Sequence, residues 1–167
     1  MTAYAGGITE IEDLSEISGF VVCKFADTSI NTDATLNDDP DLVTPTLEAN
    51  STWVIDGWLW WTASGTTPDL KVAFNGPAGA DVVWSFISII TSATSNSGAI
   101  DIGVQSGGLL ATHARVALNG STGGLVRGYV TIGGTAGAMT LQWAQNTSDA
   151  GAVVLKEGSH IRWRRIL

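Results

Sequence analysis

The stretch "WVIDGWLWW", residues 53–61, places four of the chain's seven tryptophans within nine positions. In an extended strand alternate side chains face opposite sides, so Trp58 and Trp60 share one face while Trp53, Ile55, Leu59 and Trp61 share the other. Neither face is polar. A ribbon that is apolar on both sides has to be covered twice, which restricts the chain to folds that bury one face of a sheet in their own interior. The other face then meets a second layer or a second molecule.

The rest of the chain reads mostly as strand and turn. "FVVCKF", "LVTPTLEA", "DLKVAF", "DVVWSFISII", "AIDIGVQ", "LLATHARVAL", "LVRGYVTIGG", "MTLQWAQN", "AVVL" and "HIRWRRIL" are short β-prone runs separated by Gly, Ser, Pro and Asn clusters. In "DLKVAF", Leu70, Val72 and Phe74 alternate with Asp69, Lys71 and Ala73, and "NGPAGA" is a turn. "DTSINTDATLNDDPD" is too polar and too rich in breakers to be core. In "HIRWRRIL", Ile161 and Trp163 share one face and His160, Arg162 and Arg164 the other, and "AVVLKEGSH" is expected to form a hairpin turning near Glu157-Gly158. About ten short strands with regular turn signals and no exact repeat predict an all-β fold, a jelly-roll β-sandwich of 8–10 antiparallel strands.

One helical pattern precedes them. In "ITEIEDLSEISGF", Ile8, Ile11, Leu14 and Ile17 recur every third residue, Thr9 and Glu12 have capping-box spacing, and Gly19 is placed to end the turn. A helix this short is marginal alone in water, so its apolar stripe is expected to lie on a larger body. The chain thus divides into an arm, residues 1–18, and a sandwich domain, residues 19–167.

Composition narrows the functional classes. A compact monomer of 17.4 kDa exposes roughly 7,900 Å², over which 16 acidic and 8 basic side chains are thinly spread. A surface so sparsely charged suggests cover by other subunits. The net charge of -8 argues against nucleic acid, which demands clustered Lys and Arg. Residues 1–50 carry ten carboxylates and one base, Lys24, whereas the remainder is nearly neutral, so the N-terminal third is suited to a basic or polar partner. Cys23 stands alone in an apolar strand, and no run is apolar enough to cross a membrane as a helix. Neither a signal peptide nor a membrane partner is expected, and synthesis in the cytoplasm is.

Chemistry-bearing patterns are sparse. His113 and His160 lack metal-type spacing. Asp33, Asp38, Asp39 and Asp41 offer oxygen ligands but not the spacing of a calcium loop, and they read as turn residues that fix backbone bends. No nucleophile elbow, phosphate loop or dinucleotide fingerprint is present, and the Gly pairs at 6, 107, 123 and 133 open no helix. Asp56, Asp69, Asp81, Asp101, Asp149 and Glu157 are available for glycoside chemistry, but nothing pairs them. The chain is therefore expected not to be an enzyme and to need no cofactor or metal. Trp58 and Trp60 would suit a sugar-stacking platform if exposed; the simpler use of an apolar outer face is packing against a second copy.

Taken in order, "TLNDDPDLVTPTLEANSTWVIDGWLWW", "DLKVAFNGPAGA" and "LQWAQNTSDAGAVVLKEGSHIRWRRIL" resemble a domain of virion proteins from tailed phages of actinobacteria. The layout is similar to the trimeric jelly rolls of the tumour necrosis factor and complement globular-head type, over residues 27–167. The resemblance implies a non-catalytic virion protein that forms a homotrimer through the inner sheets of its jelly rolls. Its interface and core positions here are Trp53, Trp58, Trp60, Trp61, Leu70, Val72, Phe74, Gln142, Trp143 and Gln145, with the glutamines bonded across the threefold junction. No long stalk or collagen-like repeat accompanies it, which favours a capsid decoration protein on the virion surface. Ile8, Ile11, Leu14 and Ile17 would then contact the major capsid protein. The alternative is a minor tail or receptor-binding module that reads host glycans.

Overall fold

A computed structural model describes residues 19–65, 68–89, 100–101, 104–105, 113–115 and 120–167. Ile8, Ile11, Leu14 and Ile17, with the predicted helix, lie outside the described residues. Among those described there is no helix. The described residues form thirteen strands: β1 (Phe20–Cys23), β2 (Thr28–Ile30), β3 (Asn37–Val43), β4 (Thr52–Ala63), β5 (Leu70–Asn75), β6 (Asp81–Ile89), β7 (Ile100–Asp101), β8 (Val104–Gln105), β9 (His113–Arg115), β10 (Gly120–Thr131), β11 (Thr140–Gln145), β12 (Val153–Leu155) and β13 (His160–Arg165).

All pairings are antiparallel, in two sheets. The large sheet runs β1-β13-β4-β10-β6-β7, with β12 joining β2 to β4 and β8 on β6; the small sheet runs β3-β11-β5-β9. Steps from β3 to β4, β4 to β5, β10 to β11 and β11 to β12 each cross from one sheet to the other. This is jelly-roll wiring, and it delivers the all-β sandwich expected from the turn spacing.

The tryptophan strand is the axis of the large sheet. All twelve residues of β4 pair with β10, from Thr52↔Thr131 to Ala63↔Gly120. On its other edge, Trp53–Trp58 pair with β13 and Trp61–Ala63 with β12. The predicted hairpin between β12 and β13 does not form, because both segments run the same way along β4. Lys156–Ser159 is an excursion between them, bridged by the Ser159 hydroxyl, which accepts from the Trp60 N–H at 3.0 Å. The Glu157-Gly158 signal is real, with Gly158 at φ 83°, but it marks this excursion rather than a reversal.

The core follows the strand alternation. Ile55, Leu59 and Trp61 on β4 and Leu70, Val72 and Phe74 on β5 are buried, with Trp84, Phe86, Leu141, Trp143, Ile161 and Trp163. Phe74 of the small sheet sits edge-on to two indoles of the large one, at ring-centre distances of 4.9 Å to Trp84 and 6.1 Å to Trp163. Such T-shaped contacts place ring edges against ring faces and fix the spacing of the layers.

The polar stretch 27–41 is more structured than its composition predicts. It contains β2 and the first five residues of β3, and Asp39 is buried. Pro40 is tolerated within β3 because that strand is an edge, paired only with β11. "LVTPTLEA" is correspondingly less regular: β3 ends at Val43, and Leu47 makes only an isolated bridge to Gly137. "NGPAGA" turns as expected, with Gly79 at φ 80°.

Candidate functional site

The outer face of the large sheet is the one broad apolar surface among the described residues. Because β4 alternates strictly, the residues between its buried positions all point outward, and the register aligns them with their neighbours. One row reads Val83, Tyr129, Val54, Arg164; the next Ser85, Arg127, Asp56, Arg162, Val21; the third Ile87, Leu125, Trp58, His160, Cys23. Trp58 is 42% exposed, Trp60 39%, Leu125 38% and Tyr129 44%. Trp58, Trp60 and Leu125 adjoin one another and Tyr129 stands beyond the Arg127–Asp56 row, and together they form a patch of the kind that marks an interaction surface.

Trp58 is held flat by a missing side chain. A Cβ built on Gly123 would fall 2.1 Å from Cζ2 of Trp58, so the indole covers the backbone of β10 at that point. Trp60 is braced differently: the Lys156 ammonium lies 5.7 Å from its ring centre and forms an ion pair with Asp27. The Lys156 hydrogen bond, and then the Glu157 N–H, hold the Asp27 carboxyl below the ordinary carboxylate range. Between the two apolar rows, Arg162 grips Asp56 with Nε at 3.1 Å and Nη2 at 2.9 and 3.0 Å. Arg127 is the register partner of Asp56 on the other side. The patch is therefore aromatic and aliphatic with a polar stripe through its middle.

The sequence-derived site residues divide between this face and the interior. Trp58 and Trp60 are on the outer face. Trp61, Leu70, Val72, Phe74 and Trp143 are sealed inside a single chain, so they are core and offer no surface to a neighbour. Trp53 is half-buried at the end of the sandwich, its indole N–H donating to Ser51 Oγ at 2.9 Å and its ring 5.6 Å from that of Phe20. Gln145 needs no threefold neighbour: its Nε2 donates to Gly151 O at 2.6 Å and its Oε1 accepts from the Asp149 N–H at 2.9 Å. Gln142 donates to Asp38 at 2.8 Å and keeps a buried Oε1 without a hydrogen-bond partner. Leu125, Tyr129, Val83 and Ile87 were not singled out from sequence, although "LVRGYVT" carries the same two-sided apolar alternation as the tryptophan strand.

The aspartates of 33–41 are held by hydrogen bonds to neighbouring backbone and side-chain groups. Among the described residues no group of three or more His, Cys, Asp or Glu is arranged to hold an ion. Asp33 accepts from the Thr35 N–H at 2.7 Å and from Asn37 at 3.1 Å, and those bonds lower its pKa. Asp38 is engaged by Gln142 and by Asn75 at 3.3 Å. A shallow groove of about 330 Å³ between β2 and β3, with Asp33, Asp38 and Asn37 on its walls, is thus lined by carboxylates already in use.

No protein-family model matches the chain, and no curated protein matches it. Solved structures similar to it include that of the infectious bursal disease virus Gx strain, at 9% identity and a TM-score of 0.21, covering 86% of this chain and 37% of that one. Another is the VP2 subviral particle of infectious bursal disease virus, at 10% identity and a TM-score of 0.23, covering 88% and 41%. The chain spans about two-fifths of the length of these viral proteins. So slight a superposition carries no argument, and the fold rests on the strand pairing described above.

Proposed function

We propose that this chain is a structural protein of a virion, assembling as a homotrimer through the outer face of its large sheet and decorating a capsid. The observation that supports the reading is the exposure of Trp58, Trp60, Leu125 and Tyr129 on one sheet face while Trp61, Trp84, Trp143 and Trp163 are buried. Covering such a patch with two sister chains removes apolar area from water and accounts for a surface with few charges. The second support is the resemblance of residues 27–167 to trimeric jelly rolls of tailed-phage virion proteins, which form their interface with the corresponding sheet.

On this reading residues 1–18 and the acidic N-terminal third contact the major capsid protein. A ligand that binds only the assembled shell stabilises that state by mass action, and three linked arms turn weak single contacts into strong avidity. Sedimentation of the full chain is expected to give a trimer, and Leu125→Glu, which puts a charge on the patch without touching the core, a folded single chain. A wild-type chain that stays single at high concentration with solvent-exposed indole emission overturns the trimer. Electron microscopy of the particle locates the protein on head or tail.

A second reading is a glycan-binding tail module, favoured by the outward indole of Trp58 beside the Asp56–Arg162 pair, an aromatic face next to hydrogen-bonding groups. Binding on a glycan array that disappears in Trp58→Ala would select it over decoration.

A further inference from the structure

Lys24 follows directly after β1, and its side chain turns into the sandwich rather than toward water. Its Nζ lies 2.7 Å from Oδ2 of Asp39 on β3, and both side chains are 0% exposed. The carboxyl is fixed from every side. Oδ2 also accepts from the Trp143 indole N–H at 3.0 Å, and Oδ1 accepts from two backbone N–H groups, those of Asp41 at 3.0 Å and Leu42 at 3.1 Å. A second carboxylate stands beside the amine: Asp41 Oδ2 is 3.5 Å from Nζ, 25% exposed, and held by the Phe25 N–H at 3.4 Å.

A buried ion pair whose remaining lone pairs are satisfied is held by these contacts, and the same contacts place the two groups for a reaction with each other. Two charges taken out of water are costly, and joining the two groups as an amide removes both charges. Two N–H groups converging on one carboxyl oxygen make the geometry that stabilises negative charge developing there. A carboxylate touching the nitrogen and reaching solvent is placed to carry protons. Contact held by packing supplies the proximity that turns an unfavourable bimolecular condensation into an intramolecular one.

We propose that Lys24 and Asp39 are joined by an intramolecular isopeptide bond, which the folded chain forms itself with Asp41 as proton carrier. A proton passes from the Lys24 ammonium to Oδ2 of Asp39 within their contact. The Nζ lone pair attacks Cγ, forming the Nζ–Cγ bond and pushing the carbonyl electron pair onto Oδ1, toward the Asp41 and Leu42 N–H groups. Asp41 removes a proton from the cationic nitrogen and gives it to the Oδ2 hydroxyl. The Cγ–Oδ2 bond breaks, the pair on Oδ1 restores the carbonyl, and Oδ2 leaves as water. An amine and a carboxylic acid become one amide and one water, with no oxidant, reductant or cofactor. The bond would staple β1 of the large sheet to β3 of the small one, independently of what the outer face meets.

Mass spectrometry of the intact, denatured chain tests this. The expected mass is lower than that of the sequence by one water, and digestion is expected to yield a branched peptide joining Lys24 to Asp39, with no tryptic cleavage after Lys24. Lys24→Met and Asp39→Ala are expected to show full mass. Both touch the core, so Asp41→Asn, at a partly exposed position, provides the decisive variant: a folded chain, by circular dichroism, in which the link forms about a hundredfold more slowly or not at all. A folded wild-type chain of full mass overturns the inference and leaves an ion pair. A water loss that persists in Lys24→Met overturns it too, and a link that forms at an unchanged rate in Asp41→Asn overturns the role given to Asp41.

Discussion

The six-membered ring of Trp58 occupies the place where Gly123 would carry its side chain, with Cζ2 2.1 Å and Cε2 2.8 Å from the position of a Cβ built there. An alanine in a strand ordinarily gains over glycine by about 0.5–1 kcal/mol, because it has less backbone freedom to lose. Here the methyl has to displace the indole, and overpacking of this kind costs about 1–3 kcal/mol. Gly123→Ala is therefore expected to lower the urea midpoint and to change the near-ultraviolet dichroism. Equal or higher stability would contradict the close stack.

Adjacent tryptophans on one strand are expected to behave oppositely. Trp61 is fully buried and tilted against Phe86 at 5.4 Å, so Trp61→Ala should cost about 3–5 kcal/mol of folding free energy. Trp60→Ala removes an outward ring and should cost about 1 kcal/mol or less in the single chain, near the range of surface substitutions. Chemical denaturation of the two variants at a concentration too low for association distinguishes them.

Ion pairs at two depths offer a similar contrast. Asp39→Ala leaves the Lys24 ammonium in the core with neither a link nor an ion pair to its partner and removes an acceptor from Trp143, a loss of at least about 3–5 kcal/mol. Arg162→Ala breaks a bidentate pair whose side chains are 61% and 41% exposed, and should cost about 0–1 kcal/mol. Unfolding midpoints of both variants in the same buffer test the order.

Acid is expected to weaken the fold through Asp27 and Asp33. Both carboxyls have a folded pKa below the ordinary aspartate range, Asp27 through its bonds to Lys156 and the Glu157 N–H, Asp33 through the Thr35 N–H and Asn37. A depressed folded pKa means that the unfolded chain binds protons first as pH falls. The contribution is complete above the unfolded pKa and is lost as pH drops toward the folded one. Denaturant midpoints between pH 6 and pH 3 should fall, and Asp27→Asn should flatten part of that slope. An unchanged slope in the variant would remove Asp27 from the account.

How much of this was legible depended on the distance over which each feature is decided. The two-faced tryptophan strand was readable because side-chain parity is a local property, and Ile55, Leu59 and Trp61 are buried while Trp58 and Trp60 face outward. Which face was core was not readable, since that is set by the small sheet. The segment around Asp39 looked like loop because the residue that makes its burial tolerable, Lys24, lies fifteen positions away, just past a strand of the other sheet. Gly123 and Gly124 fall in a Gly/Ser cluster between two β-prone runs of the sequence, yet they lie within β10 beneath Trp58 and beside Phe86, side chains supplied by other strands. Glu157-Gly158 carried a true local signal whose meaning was changed by β4, the common partner of β12 and β13.

The placement of β13 and β12 along β4 has a consequence for biosynthesis. Trp60 meets Ser159 across a separation of 99 residues, so the central ribbon leaves the ribosome long before the segment that completes its second edge. Until then its hydrogen-bonding edge and its indoles stand open together, and pairings so remote in sequence form slowly. The nascent chain is most prone to stray association in that interval.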